Sequence, residues 1–288
     1  MKRIGWQQLA VYARLVRLHR PIGIYLVLWP TLWALWLASG GVPDSLILTV
    51  FIAGVVLMRS AGCAINDYAD RHIDGHVSRT RDRPLAAGEA TPAEAIALFL
   101  LLSFIAFLLV LQLNRLTILL SVPALLLAAS YPFSKRYTHL PQAYLGIAFA
   151  SAIPMAFAAV LNEVPAASWL VFLVAVLWAI AYDTMYAMAD RQEDLKIGVK
   201  SSAILFAAYD RLAIGICQLL LLALLWWIGQ IYGLGWIYQL GLALAALFFI
   251  YQQWLIRQRE ATACFNAFLN NHYFGMVVFL AMAVDYGW

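Results

Sequence analysis

The chain has 288 residues, 64% of them hydrophobic and only 12% charged, with a mean hydropathy of +0.80. Soluble domains carry about 25% charged residues, so a water-soluble globule built round one core is excluded. The net charge of +4 does not point to nucleic acid, because the basic residues sit between long apolar runs, as membrane-orientation signals do.

In chain order, Lys2, Arg3, Arg14, Arg17 and Arg20 come first, around a segment with Trp6, Leu9, Ala13 and Val16 on one side at helical spacing. No short apolar core with a small-residue cleavage site follows. Residues 1–20 therefore read as an interfacial helix lying on the cytoplasmic surface. Nine apolar segments come next, at 22–39, 46–64, 94–111, 116–133, 141–160, 166–187, 212–228, 235–254 and 272–286. A span needs roughly 20 residues, so these predict nine transmembrane helices in one domain covering 1–288. Pro30, Pro123 and Pro154 fall inside spans and read as kinks whose freed carbonyls find other partners. Thr91-Pro92-Ala93-Glu94 is a capping box with proline at the first helical position, and it starts the third span. The ninth span is crowded upstream by Asn266, Asn270 and Asn271. Cys63, Cys217 and Cys264 are isolated and read as small buried hydrophobes.

Charge orients the spans. The N-terminus and the connections 65–93, 134–140, 188–211 and 255–271 hold every Lys and Arg except Arg115, counting Arg59 near the end of the second span. The opposite connections are short and nearly uncharged. Excess Lys and Arg mark the cytoplasmic side, which puts the N-terminus inside and the C-terminus outside. The two longest connections, 65–93 and 188–211, are both cytoplasmic, and long loops among short ones tend to carry function.

Each of these loops carries the same acidic box. The first contains Asp67, then Asp70-Arg71-His72-Ile73-Asp74. The second contains Asp190-Arg191-Gln192-Glu193-Asp194, preceded by Asp183. Both read D-R-x-x-D, and both are trailed by bases: Arg79, Arg81 and Arg83 after the first, Lys196 and Lys200 after the second. Four spans separate them, so the boxes return to one face and can meet. Carboxylates at i and i+4 lie on one side of a helix and repel unless a cation sits between them. Mg²⁺ takes carboxylate and phosphate oxygens, so two facing boxes suit Mg²⁺ bound to a diphosphate, with Arg and Lys neutralising the remaining charge. His72 and His76 lack a third ligand at zinc spacing and read as solvated loop histidines. Trp and Tyr read mostly as an interface belt.

The segments 20–36 (RPIGIYLVLWPTLWALW), 58–85, 131–142 (YPFSKRYTHLPQ), 181–201 and 265–275, with the NDxxDxxxD and YxMxDxxxD patterns, give the chain a clear family likeness. It resembles the UbiA superfamily of intramembrane aromatic prenyltransferases over nearly its whole length, and 131–142 argues for the branch whose acceptor is 4-hydroxybenzoate. The resemblance implies an all-α membrane bundle of nine helices round a central cavity with a cytoplasmic polar cap, set in the bacterial inner membrane. It implies Mg²⁺-dependent transfer of a polyprenyl group from polyprenyl diphosphate to the ring carbon beside the phenol hydroxyl, in ubiquinone biosynthesis. No nucleic acid and no obligate protein partner is expected.

Residue by residue, the resemblance makes Asp70, Asp74, Asp190 and Asp194 the Mg²⁺-diphosphate carboxylates, with Asp67 as helper. Arg71, Arg79, Arg83, Lys135 and Lys196 become candidates for the diphosphate. Arg59, Asn66, Tyr131 and Arg136 become candidates for the aromatic acid, whose carboxylate suits an arginine fork. Asp183 is a candidate for positioning the phenol or taking its proton. The alternatives are a related enzyme with a naphthoate, homogentisate or haem acceptor, and a cation transporter with acids lining its path. The clustering of acids at one face weighs against the transporter.

Overall fold

A computed structural model describes residues 5–76 and 79–287, and everything below concerns those residues. Lys2 and Arg3 of the expected interfacial helix lie outside them. Among the described residues the secondary structure is entirely helical, and nine helices are long and apolar enough to cross a membrane. The protein is a multi-pass membrane protein.

The surface helix is shorter than expected. α1 runs Trp6–Leu15 rather than to residue 20. Leu15 is buried against Leu85, Ala90 and Ala95, and Gln8 and Tyr12 donate to Glu94 at 3.1 and 2.7 Å. The helix is thus pinned on the first turn of the third span. The Tyr12 hydroxyl is held above its usual pKa by its bond to Glu94.

The spans follow as α2 (Ile22–Ser39), α3 (Ser45–Asp70), α4 (Pro92–Val110) and α5 (Arg115–Ser130). The fifth span is broken into α6 (Pro141–Ala150) and α7 (Ala152–Leu161). Then come α8 (Ala166–Ile197), the short α9 (Ser202–Phe206), α10 (Asp210–Ile231), α11 (Trp236–Leu255) and α12 (Ala261–Asp285). Local chemistry sets several starts. Asp44 accepts from the amides of Leu46 and Ile47 at the head of α3, Asn114 from Thr117 at the head of α5, and the Thr91–Glu94 capping box is formed. The α6–α7 break lies just before Pro154, whose missing N–H leaves the Ala150 carbonyl without its helical partner.

Helix ends depart from the expected spans where it matters most. α3 has 26 residues and α8 has 32. At 1.5 Å per residue they measure roughly 39 and 48 Å, against a hydrocarbon core of about 30 Å. The two box-bearing helices are therefore the two longest, and both overhang. The loops expected to begin at 65 and 188 begin after Asp70 and Ile197. α12 starts at Ala261 rather than 272, so the asparagines lie within the helix.

Asn271 is fully buried and accepts from Trp178 Nε1 at 2.9 Å. Trp33 Nε1 donates to the Gly275 carbonyl at 3.2 Å, and the Trp33 and Trp178 rings stack 5.4 Å apart. This aromatic column joins α2, α8 and α12. It needs Gly275 bare: a Cβ there would fall 2.5 Å from Trp178 and 2.7 Å from Trp29. Alanine gains roughly 1 kcal/mol of helix propensity, whereas overpacking against fixed rings costs about 1–3 kcal/mol. Gly275→Ala is therefore expected to lower the midpoint of thermal unfolding in detergent; an unchanged or raised midpoint would show that the rings yield.

Candidate active site

Two helical faces build the site. On α8, Asp183, Asp190 and Asp194 stand at i, i+7 and i+11, which at about 100° per residue is one stripe. On α3, Arg59, Asn66 and Asp70 repeat the same spacing. All six line a single cavity of about 360 Å³, together with Asp67, Asp74, Arg79, Arg83, Tyr131 and Lys135. The size falls in the range of ligand sites, 300–1,000 Å³.

The first box is not one continuous helical turn. α3 stops at Asp70, the Ile73 amide bonds back to the Asp70 carbonyl at 2.7 Å, and Asp74 opens a short 3₁₀ turn. Asp74 nevertheless reaches the cavity wall because Arg83 holds its carboxylate at 2.9 and 2.8 Å, while Thr80 binds its carbonyl. Burial pushes the Asp74 carboxyl up from its usual range, and Arg83 opposes that. The second box lies wholly within α8, as the i, i+4 argument requires.

Asp67, Asp70 and Asp190 each meet a base as well. Lys135 Nζ reaches Asp70 at 2.7 Å, and Asn66 links Asp70 to the Tyr131 hydroxyl at 3.3 and 3.2 Å. Arg79 binds Asp190 while its guanidinium lies 3.9 Å over the Tyr186 ring. Asp67, 1% exposed, sits between Arg17 at 2.5 Å and Arg83 at 3.3 Å. Burial would lower the Arg17 pKa, but the Asp67 carboxylate outweighs it and the group is held above its usual value. Asp194 alone of the box carboxylates makes no side-chain bond to the described residues.

Arg59 occupies a distinct place. With Tyr131 and Phe149 it lines both the polar cavity and an adjoining apolar one between α3, α4, α5, α6 and α7, walled by small residues such as Gly54, Gly62, Ala106 and Ala128. Arg59 Nη1 donates to Cys63 Sγ, whereas its Nε is buried without a partner. Its guanidinium passes over Gly23, where a Cβ would fall 2.2 Å from Nε. A buried guanidinium with unused donors suits a planar carboxylate.

Three expected residues stand elsewhere. Arg71 lies over the Tyr68 ring at 4.4 Å and donates to the Tyr68 carbonyl. Arg136 donates to the Ala69 carbonyl at 2.7 Å, fastening the 131–136 turn to the end of α3. Lys196 is exposed, and Lys200 lines the cavity in its stead. Conversely, Arg17, Arg20 and His19 line the cavity although their sequence context signalled only a membrane surface. Burial and the neighbouring arginines hold the His19 imidazole below its usual pKa.

Among the described residues no three acidic, histidine or cysteine side chains already converge on a metal position. The donor chemistry still fits Mg²⁺. The wall offers carboxylate oxygens from both boxes, with Asp194 uncommitted, and the bases holding the others can turn to a phosphate.

Known proteins bear on this geometry. A protein of Methylococcus capsulatus named 4-hydroxybenzoate octaprenyltransferase is 60% identical over 277 residues, covering 96% of this chain and 95% of its own. One of the same name from Nitrosococcus oceani is 60% identical over 280 residues, covering 97% and 98%. The solved structure of a UbiA homolog from Aeropyrum pernix K1 superposes with a TM-score of 0.80 at 29% identity, covering 91% of this chain and 97% of that one. A UbiA homolog from Archaeoglobus fulgidus, solved bound to GPP and Mg²⁺, shares the fold with a TM-score of 0.73 at 17% identity, covering 96% and 98%. Residues 27–280 match the UbiA prenyltransferase family, so the two facing helical stripes stand on a family scaffold, and the chain belongs to the UbiA prenyltransferase family.

Proposed function

We propose that this protein transfers a polyprenyl group from polyprenyl diphosphate to the carbon of 4-hydroxybenzoate beside its hydroxyl, giving 3-polyprenyl-4-hydroxybenzoate for ubiquinone biosynthesis. The observation that carries the reading is the junction at Arg59. There an acid-lined polar chamber, a buried cation with a free donor and an apolar groove meet. The names of the relatives supply the acceptor.

Asp70, Asp74, Asp190 and Asp194 would hold Mg²⁺, with Asp67 supporting them. When bound, the metal offsets the charge that develops on the departing diphosphate. Arg79, Arg83 and Lys135 take the diphosphate oxygens, releasing the acids they hold in its absence. Arg59 grips the acceptor carboxylate, with Asn66 and Tyr131 alongside. The allylic C–O bond breaks, its electrons leave with the diphosphate, and the phenol ring closes a carbon–carbon bond to the allylic carbon. The displaced ring proton passes to a base, for which Asp183, on the same stripe as the second box, is the candidate. The apolar groove receives the tail and keeps water from the cation-like carbon.

The site then faces the cytoplasm of a bacterial inner membrane, with the C-terminus periplasmic. A reporter fused after residue 288 that is active only in the periplasm tests this, and cytoplasmic activity would reverse the orientation.

The test of function is transfer by the purified protein against a panel of acceptors. 4-Hydroxybenzoate is expected to be prenylated, naphthoate and homogentisate not. EDTA is expected to stop the reaction and added Mg²⁺ to restore it. Preference for another acceptor, or activity in EDTA, would overturn the assignment.

A further inference from the structure

The arginine inside the second box does not face the cavity. Arg191 follows Asp190 by one residue, about 100° round the helix, and its side chain points towards α10 instead. There it pairs with Asp210, which has no exposed surface. Asp210 is saturated with donors: Arg191, Arg259 through Nε at 3.1 and 3.0 Å and Nη2 at 2.9 Å, and the Arg211 amide at 2.6 Å. Arg259 also donates to the Ala208 carbonyl at 2.8 Å. Ala207 and Arg259 hold positive φ angles of 46° and 58°, conformations that persist only where surroundings over-determine them.

Packing explains why such a fastening is needed. The last buried residue of α8 is Met188, and the last of its apolar side chains packed on the core is Ala189, so Asp190 and Asp194 stand where the helix leaves the aromatic core. Arg79 holds Asp190 from the cavity side, but it is among the bases assigned to the diphosphate and would let go during turnover. Arg191 ties the same stretch to Asp210, a buried acid that Arg259 and the Arg211 amide also hold.

We infer that Asp210 is a positioning residue, which through Arg191 and Arg259 fixes the overhanging end of α8 so that Asp190 and Asp194 meet the metal and diphosphate in one register. It touches neither substrate. The inference rests on the proposed roles of Asp190 and Asp194.

The test uses full-length protein in detergent, comparing Asp210→Asn, Asp210→Glu, Arg191→Gln and the Asp210→Asn/Arg191→Gln double variant, with Asp190→Asn as control. Thermal stabilisation by Mg²⁺ with a prenyl thiolodiphosphate reads ligand binding without turnover, and kinetics read kcat and both KM values. Asp210→Asn and Arg191→Gln are expected to lose most of the ligand-induced shift and about 10–100-fold in kcat. KM for the aromatic acid should stay within about twofold. Asp210→Glu should recover part of both, and the double variant should be no worse than the worse single one.

A lower midpoint without ligand, with unchanged ligand shift and kcat, would reduce Asp210 to a structural residue and overturn the inference, as would additive losses in the double variant. If Asp210→Asn does not fold, Arg259→Gln removes one partner and leaves the Arg191 pair; an unaltered ligand shift there would overturn it equally. Asp190→Asn keeping its ligand shift and activity would instead show that the metal assignment itself had failed.

Discussion

Asp190→Asn is expected to lower the rate of prenyl transfer by about 10²–10³-fold while the purified protein stays folded. Asparagine has the same shape but no charge, so it cannot hold a divalent cation against a diphosphate. The fold does not depend on this carboxylate. Beyond Met188 no residue of α8 is buried, and Asp190 is 17% exposed at the cavity wall. Its partner Arg79 keeps its place over Tyr186 at 3.9 Å and, at 24% exposure, can take up water. Asp70→Asn should behave alike, leaving Lys135 free. Turnover of either variant at the parental rate, with a parental elution profile and melting midpoint, would refute the role of the boxes.

The second large effect is expected from a glycine of the cavity wall over which Arg59 lies. Gly23→Ala should raise KM for the aromatic acid at least as far as a conservative Arg59→Gln does, by about tenfold or more. Loss of one partner of a buried charge pair costs 2–5 kcal/mol. The added methyl would fall 2.2 Å from Arg59 Nε. It meets the end of a flexible side chain rather than backbone, and alanine favours α2 over glycine. The helix should therefore hold and the guanidinium should swing away from the junction. KM for the prenyl diphosphate should change by less than about twofold, since uniform binding is lost only for the acid. Equal increases in both KM values would mean that Arg59 does not recognise the acceptor carboxylate.

Much of the architecture was legible before any coordinates. Apolar runs of span length, with bases confined to alternate connections, are imposed by the bilayer, and that constraint acts on each segment separately. The Thr91 capping box was readable for the same reason, since its partners lie three residues apart. The D-R-x-x-D repeat located both sets of carboxylates, and in the second box the i, i+4 spacing is a local property of α8. The lengths of α3 and α8 were underestimated. Hydropathy falls at the membrane surface, whereas helical hydrogen bonds continue into water, so the second box rides on overhanging helix, while the first starts on the last residue of α3 and ends in a 3₁₀ turn.

What a linear pattern could not convey is which way each charged side chain turns. Arg71, Arg136 and Lys196 stand beside the right motifs, yet they bond to backbone or face outward. Arg17, fifty residues before Asp67, comes to it because α1 is pinned across the start of α4. Asp210 belongs to neither acidic box, and it proved to be the buried end of the Arg191 tether. The sequence by itself determined the spans, the face they share and the two acidic boxes, because each depends on neighbours within a few residues or on the solvent outside. Only tertiary structure decided the partners, because a buried charge is placed by the opposite charge nearest in space, whatever the distance between them along the chain.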